Sequence, residues 1–279
     1  METRGRISRT VGLLGLVCAP MLVALGRATH DLPTGRMTVT TLRTTHAASR
    51  SADLTPLDGE WLRTLVDAEG RTVGVLAVPL GSREPRPVVV AAHGALSRPD
   101  WMCGATRDSV GPWPFIVCPH PAASISTMAS WSDGRTMRSV IDRALAAART
   151  LFGARLLREE SVYLGHSQGA MSAAFALGSP GDAAAPFPFG LFFEGVPHDA
   201  PGAARLLEAA GMRRVLLVSG QAGWGTAHQA FARSLRARAV EARHVHAGGG
   251  HFFSPSSVVT IRSMLWWLVR DAPHWHVER

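Results

Sequence analysis

The sequence predicts an α/β fold: a mostly parallel sheet of about eight strands, flanked by helices, with a minimal cap. Three observations carry this expectation. Short runs rich in Val, Leu and Phe alternate with segments of helical spacing. Several of these runs are apolar at consecutive positions, as strands covered on both faces are. A hairpin signal stands at the head of the series.

The elements follow in order. "WLRTLVD" and "RTVGVLAVPL" flank "AEG" and read as the hairpin. "PVVVAAHG" is a Val-rich run for a fully covered strand, and "PFIVCPHP" is a second one, ended by prolines. "RTMRSVIDRALAAARTLFG" places Met137, Ile141, Leu145 and Ala148 at helical spacing, with Gly153 as a stop. "SVYLGHS" is the next strand, and a helix follows from Gln168 to about Leu177. "FPFGLFFEG", "RRVLLVSG" and "ARHVHA" are the remaining strands. "APGAARLLEAAG", "GTAHQAFARSLRARAV" and "PSSVVTIRSMLWWLVRD" are the remaining helices. In such sheets, ligands bind at the C-terminal ends of the strands.

The chain of 279 residues is long enough for one large domain with a full core. Its net charge is +8, and all 29 basic residues are Arg. They are scattered, without a dense run or interleaved aromatics, so no nucleic-acid partner is expected. Arg4, Arg6 and Arg9 precede an apolar run from Val11 to Leu25, and Ala24, Gly26 and Ala28 close it. Residues 1–28 therefore read as a signal peptide, or as an N-terminal anchor if retained. The expected location is secreted or periplasmic, with no stable membrane association unless that segment is kept. Residues 29–56 are polar and Thr/Ser-rich and read as a linker, leaving 57–279 as the folded domain. Beyond the signal, Cys103 and Cys118 remain; an even count in an exported chain favours a bridge, with two buried free thiols as the alternative.

The chemistry centres on "VYLGHSQGAMSAAF". Ser167 stands at the end of a strand and the start of a helix, with Gly165 and Gly169 two residues to either side. A nucleophile on a sharp strand-to-helix turn needs small neighbours. The helix N-terminus also favours negative charge developing there.

"GHSQG", "HGA" and "GGGH", in that order and on those elements, resemble the α/β-hydrolase family, most of all its small secreted serine esterases and depolymerase-like hydrolases. The resemblance covers roughly Leu57 to Asp271. It implies a serine hydrolase that cleaves carboxylic esters through an acyl-enzyme, acts on a small-molecule or polymeric ester, and needs no cofactor or metal. It implies an oxyanion hole from the backbone N–H groups of Gln168 and Ala95. It also implies a base in the loop after the last strand. "HVHAGGGHFF" offers His244, His246 and His251 there. We select His251, because three glycines let its loop swing back over the turn.

The acid departs from the family pattern. The loop after "RVLLVSG" holds neither Asp nor Glu. One strand earlier, "GLFFEGVPHD" offers Glu194 and Asp199. Glu194 is the first choice, with Asp199 or no carboxylate as alternatives. The missing acid also leaves open a catalytically weakened binding protein of the same fold. His244 and His246 share one side of a strand. With His251, or with His274 and His276 of a terminal segment expected to be mobile, they make up a metal-site alternative. Trp101, Trp131 and Trp224 fall in loops at the active end and are candidates for lining an acyl pocket.

Overall fold

The fold is taken from a computed structural model, which describes residues 54–179 and 187–277. The expected signal (1–28) and most of the expected linker (29–56) lie outside the described residues. Among the described residues, no helix is long and apolar enough to cross a membrane.

The strands are β1 (Leu62–Val66), β2 (Thr72–Ala77), β3 (Arg86–Ala92), β4 (Phe115–Pro119), β5 (Leu156–His166), β6 (Phe189–Phe193), β7 (Arg214–Ser219) and β8 (Glu241–His246). They form one sheet in the order β1-β2-β4-β3-β5-β6-β7-β8. β1 pairs antiparallel with β2, and β2 antiparallel with β4. Every pairing from β4 to β8 is parallel. The expected hairpin and parallel series are both present.

Alternation of side chains explains why these runs are apolar throughout. In β3, Val88, Val90 and Ala92 enter one core, while Val89 and Ala91 enter the other. The helices cover both faces. On the first lie α2 (Gly134–Phe152), the short α3 (Gln168–Met171) and α4 (Ala173–Leu177), α5 (Ala200–Ala209) and α6 (Ala222–Arg236). On the second lie α1 (Pro99–Val110) and α7 (Pro255–Val269). α2 shows how sequence sets an element. Asp133 caps it by accepting Thr136 N–H at 2.9 Å, and Gly153 ends it at φ 53. Its Met137 and Ile141 are fully buried, so truncating Ile141 to Ala would destabilise the fold by about 2–5 kcal/mol.

Three features differ from expectation. α1 lies where no helix is expected, between β3 and β4. The helix after Ser167 is interrupted at Ser172, whose N–H is shared between Ala170 O and Gln168 O. The segment 274–277 is tied down: His274 Nδ1 lies 2.6 Å from Glu160 Oε1, and Trp113 Nε1 donates to His274 O at 3.0 Å. The His276 ring stacks on Trp113 with centroids 4.0 Å apart. Cys103 of α1 and Cys118 of β4 are bridged, their Cα atoms 5.8 Å apart, as the even count favours.

Candidate active site

Ser167 connects β5 to α3 with φ 50, in the left-handed region that L side chains avoid. Only Leu96, Glu194 and Ala239 share this among the described non-glycine residues. Leu96 follows Ala95, and Glu194 directly follows β6, so three of the four strained positions border one site. Strain of order 1–3 kcal/mol per residue persists where the surroundings over-determine it, commonly at functional sites. The motif glycines are needed for room. A Cβ on Gly169 would lie 2.3 Å from Ala92 O, and one on Gly165 would lie 2.7 Å from Ala170 N. The loop after β3 thus packs directly on the turn.

His251 reaches Ser167 from beyond β8. Gly248, Gly249 and Gly250 have φ of 69, 88 and 89, so the loop needs residues indifferent to handedness at three successive positions. The loop passes the end of β7, where Gly250 N–H points to Gly220 O at 3.4 Å. His251 Nε2 then lies 3.0 Å from Ser167 Oγ, and its Nδ1 lies 3.2 Å from Glu194 Oε2. A carboxylate only accepts, so Nδ1 carries the ring proton and Nε2 offers its lone pair to the Ser167 hydroxyl.

Glu194 is fully buried. Its Oε1 accepts the N–H groups of Gly220 and of Gln221, the latter at 2.9 Å. Gln221 is the N-cap of α6, so the helix dipole adds to the stabilisation of the carboxylate. The loop after β7, which lacks an acid of its own, supplies donors to the acid of β6. Asp199 instead caps α5, accepting Gly202 N–H at 3.1 Å. Ser167, His251 and Glu194 are therefore brought together.

Gln168 is the first residue of α3, so its N–H has no intrahelical acceptor. Ala95 N–H has no acceptor among the described residues. Its loop lies against the turn: a Cβ on Gly94 would stand 3.1 Å from Ser167 Cβ. Ser167 N–H is committed to Phe193 O at 2.9 Å.

His166, inside the motif, has a place the sequence did not signal. Its Nε2 donates to His251 O at 2.8 Å, and its ring stacks on Phe193 with centroids 5.4 Å apart. Burial pushes its pKa down to about 4, so it stays neutral and holds the His251 backbone without adding charge.

The remaining candidates lie elsewhere. His244 Nε2 and His246 Nδ1 both approach Ser219 Oγ, at 2.9 and 3.2 Å, on one side of the sheet as their spacing requires. His274 and His276 sit with Glu160 and Trp113. Among the described residues, no three His, Cys, Asp or Glu side chains are arranged to hold a metal ion. Trp131 is only 3% exposed and stacks on His93, so it packs rather than lining an acyl pocket. Trp101 is over half exposed, under the Arg98 guanidinium. Trp224 lies partly buried on the first core. Leu96 and Phe252 flank the turn and are strongly exposed, so the site is open.

The chain matches no protein-family model and no curated protein by sequence. It is similar in structure to a dienelactone hydrolase-like promiscuous phosphotriesterase from metagenomic libraries, at 16% identity and TM-score 0.56, over 75% of this chain and 97% of that one. It is also similar to a hormone-sensitive lipase from a metagenome library, at 11% identity and TM-score 0.53, over 77% and 86% of the two chains. An esterase from Rhizomucor miehei gives 17% identity and TM-score 0.51, over 78% and 85%. At such identities, likeness speaks for the fold alone.

Proposed function

Taking the α/β-hydrolase fold as premise, we propose that this chain is a serine hydrolase that cleaves carboxylic esters through an acyl-enzyme. One observation carries the reading. A single imidazole bridges a strained serine at 3.0 Å and a buried carboxylate at 3.2 Å.

In this reading, Ser167 Oγ attacks the ester carbonyl carbon as His251 Nε2 takes its proton. The carbonyl π pair moves onto oxygen, where the Gln168 and Ala95 N–H groups receive it. Collapse re-forms the carbonyl and expels the alkoxide, which takes the proton back from His251. Water, deprotonated by the same nitrogen, then releases the acid and restores Ser167. Glu194 holds the imidazole in the required tautomer and offsets its charge. The open site suits a small or polymeric ester. The Cys103–Cys118 bridge is in keeping with export into an oxidising compartment.

The test is covalent labelling of the purified chain with a fluorophosphonate probe, beside Ser167→Ala and His251→Ala. We expect the wild type to label, Ser167→Ala not to label, and His251→Ala to label slowly. Folded wild-type protein that stays unlabelled would refute the reading.

A further inference from the structure

The two proposed oxyanion donors belong to different parts of the chain. Ala95 lies in the loop after β3, and Gln168 opens α3. Two donors act together only if their separation is fixed to a fraction of an ångström. The structure contains a third segment that touches both.

Residues Ala129–Trp131 run alongside the first arm. Ser97 and Ala129 exchange backbone bonds, Ser97 N–H to Ala129 O at 3.1 Å and Ala129 N–H to Ser97 O at 2.9 Å. Leu96 N–H donates to Ser130 Oγ at 3.0 Å. The Trp131 indole N–H donates to His93 O at 2.9 Å, and the ring stacks on the His93 imidazole with centroids 4.9 Å apart. Burial keeps that imidazole neutral, its pKa pushed down to about 4.

The same segment grips the second arm. Trp131 N–H donates to Gln168 Oε1 at 2.9 Å, and Gln168 Nε2 donates to Trp131 O at 2.8 Å. An amide is the side chain that presents an acceptor and a donor side by side, as a strand edge does. The residue after the serine thus uses its side chain to bind the segment that holds the other arm.

We infer that Ala129–Trp131 is a strap that sets the spacing of the two oxyanion donors, with Trp131 and the Gln168 carboxamide as positioning residues. The inference rests on the serine-hydrolase reading above. It assigns a role to Trp131 that acyl-pocket lining does not cover.

Gln168→Met keeps shape but removes both hydrogen bonds to the Trp131 backbone. Trp131→Phe keeps a stacked ring but removes the indole donor. For p-nitrophenyl acetate hydrolysis by the full chain, each is expected to lower kcat tenfold to a hundredfold, with KM changed less than threefold. The decisive readout is the adduct of Ser167 with a short alkyl trifluoromethyl ketone, followed by fluorine NMR. Its oxyanion should take up a proton at higher pH in both variants than in the wild type. A packing role alone would lower the melting temperature and leave that titration in place. If Gln168→Met fails to fold, Ser130→Ala reads the same quantity, since Ser130 is exposed and only its hydroxyl meets Leu96 N–H. An active wild type with unmoved variants overturns the strap alone. A wild type that neither turns over ester nor forms the adduct overturns the hydrolase reading, and the strap with it.

Discussion

Replacing Glu194 by Gln tests the proposed chemistry at its least conventional point. Glu194 Oε1 is held by the Gly220 and Gln221 N–H groups, and an amide oxygen can accept both. The amide nitrogen then faces His251 Nδ1, where Oε2 stood 3.2 Å away. Two donors cannot share that contact, so the imidazole must move its proton to Nε2. There it points at Ser167 Oγ and the basic lone pair is lost. The flipped amide gives no escape, because its NH2 would oppose two backbone N–H groups and forfeit about 1–3 kcal/mol for each bond. A wrong tautomer of this kind lowers kcat about 10⁴-fold in a serine protease. His251 is 33% exposed and water can partly compensate, so we expect a loss of about 10³, roughly 4 kcal/mol. Glu194→Ala imposes no tautomer and should retain more activity. It strips the acceptor from two backbone donors, however, and should destabilise the fold by about 2–4 kcal/mol. Steady-state hydrolysis of p-nitrophenyl acetate and urea unfolding of both variants separate the two effects. A Gln variant within tenfold of the wild-type kcat would show that the carboxylate does not set the tautomer.

Three further outcomes follow from the same geometry. His93, His166 and His228 are buried with pKa values held down to about 4, against 6.5 when free, so the unfolded chain binds their protons first. The stability they confer is complete above about pH 6.5 and is lost as pH falls toward 4, up to about 3 kcal/mol per imidazole; a urea midpoint that stays flat from pH 7 to 4.5 would contradict this. Removing the bridge with Cys103→Ala and Cys118→Ala should lower stability by about 3 kcal/mol, and reductant should shift the melting temperature of the wild type but not of the variant. Gly249→Ala forces a Cβ at φ 88 to within 2.0 Å of Ser254 Oγ, the cap of α7, and should depress both melting temperature and kcat; unchanged values would mean that the loop has slack.

Much of this was legible in the chain itself, for local reasons. Strands covered on both faces leave consecutive apolar residues, so β3, β4 and β7 stand out. The serine turn needs small residues at fixed offsets, so it shows in five letters. α1 stayed hidden although Pro99, Asp100 and Gly111 mark its ends. Its buried face is Met102, Cys103, Thr106, Ser109 and Val110, and the two hydroxyl residues break the apolar stripe. Glu194 could be selected as the only acid in its apolar strand. The groups that donate to its carboxyl oxygen are backbone N–H groups, which no residue type announces. The strap at Ala129–Trp131 was illegible for a related reason. Its bonds join three distant segments, and an isolated Trp in a loop has no pattern to report.

The order of strands has one more consequence. Ser167 and Glu194 follow directly on neighbouring strands, β5 and β6, whereas His251 arrives from beyond β8. Its chain must travel over the tip of β7, and the headroom there is small. A methyl group on Gly220 would stand 2.1 Å from Gly250 O. Any side chain at 220 would lift that path and withdraw His251 from both partners at once, without altering any of the three. An Asp placed there, to put a carboxylate on the strand that more often bears the acid in the resembling family, would obstruct the route of His251 itself.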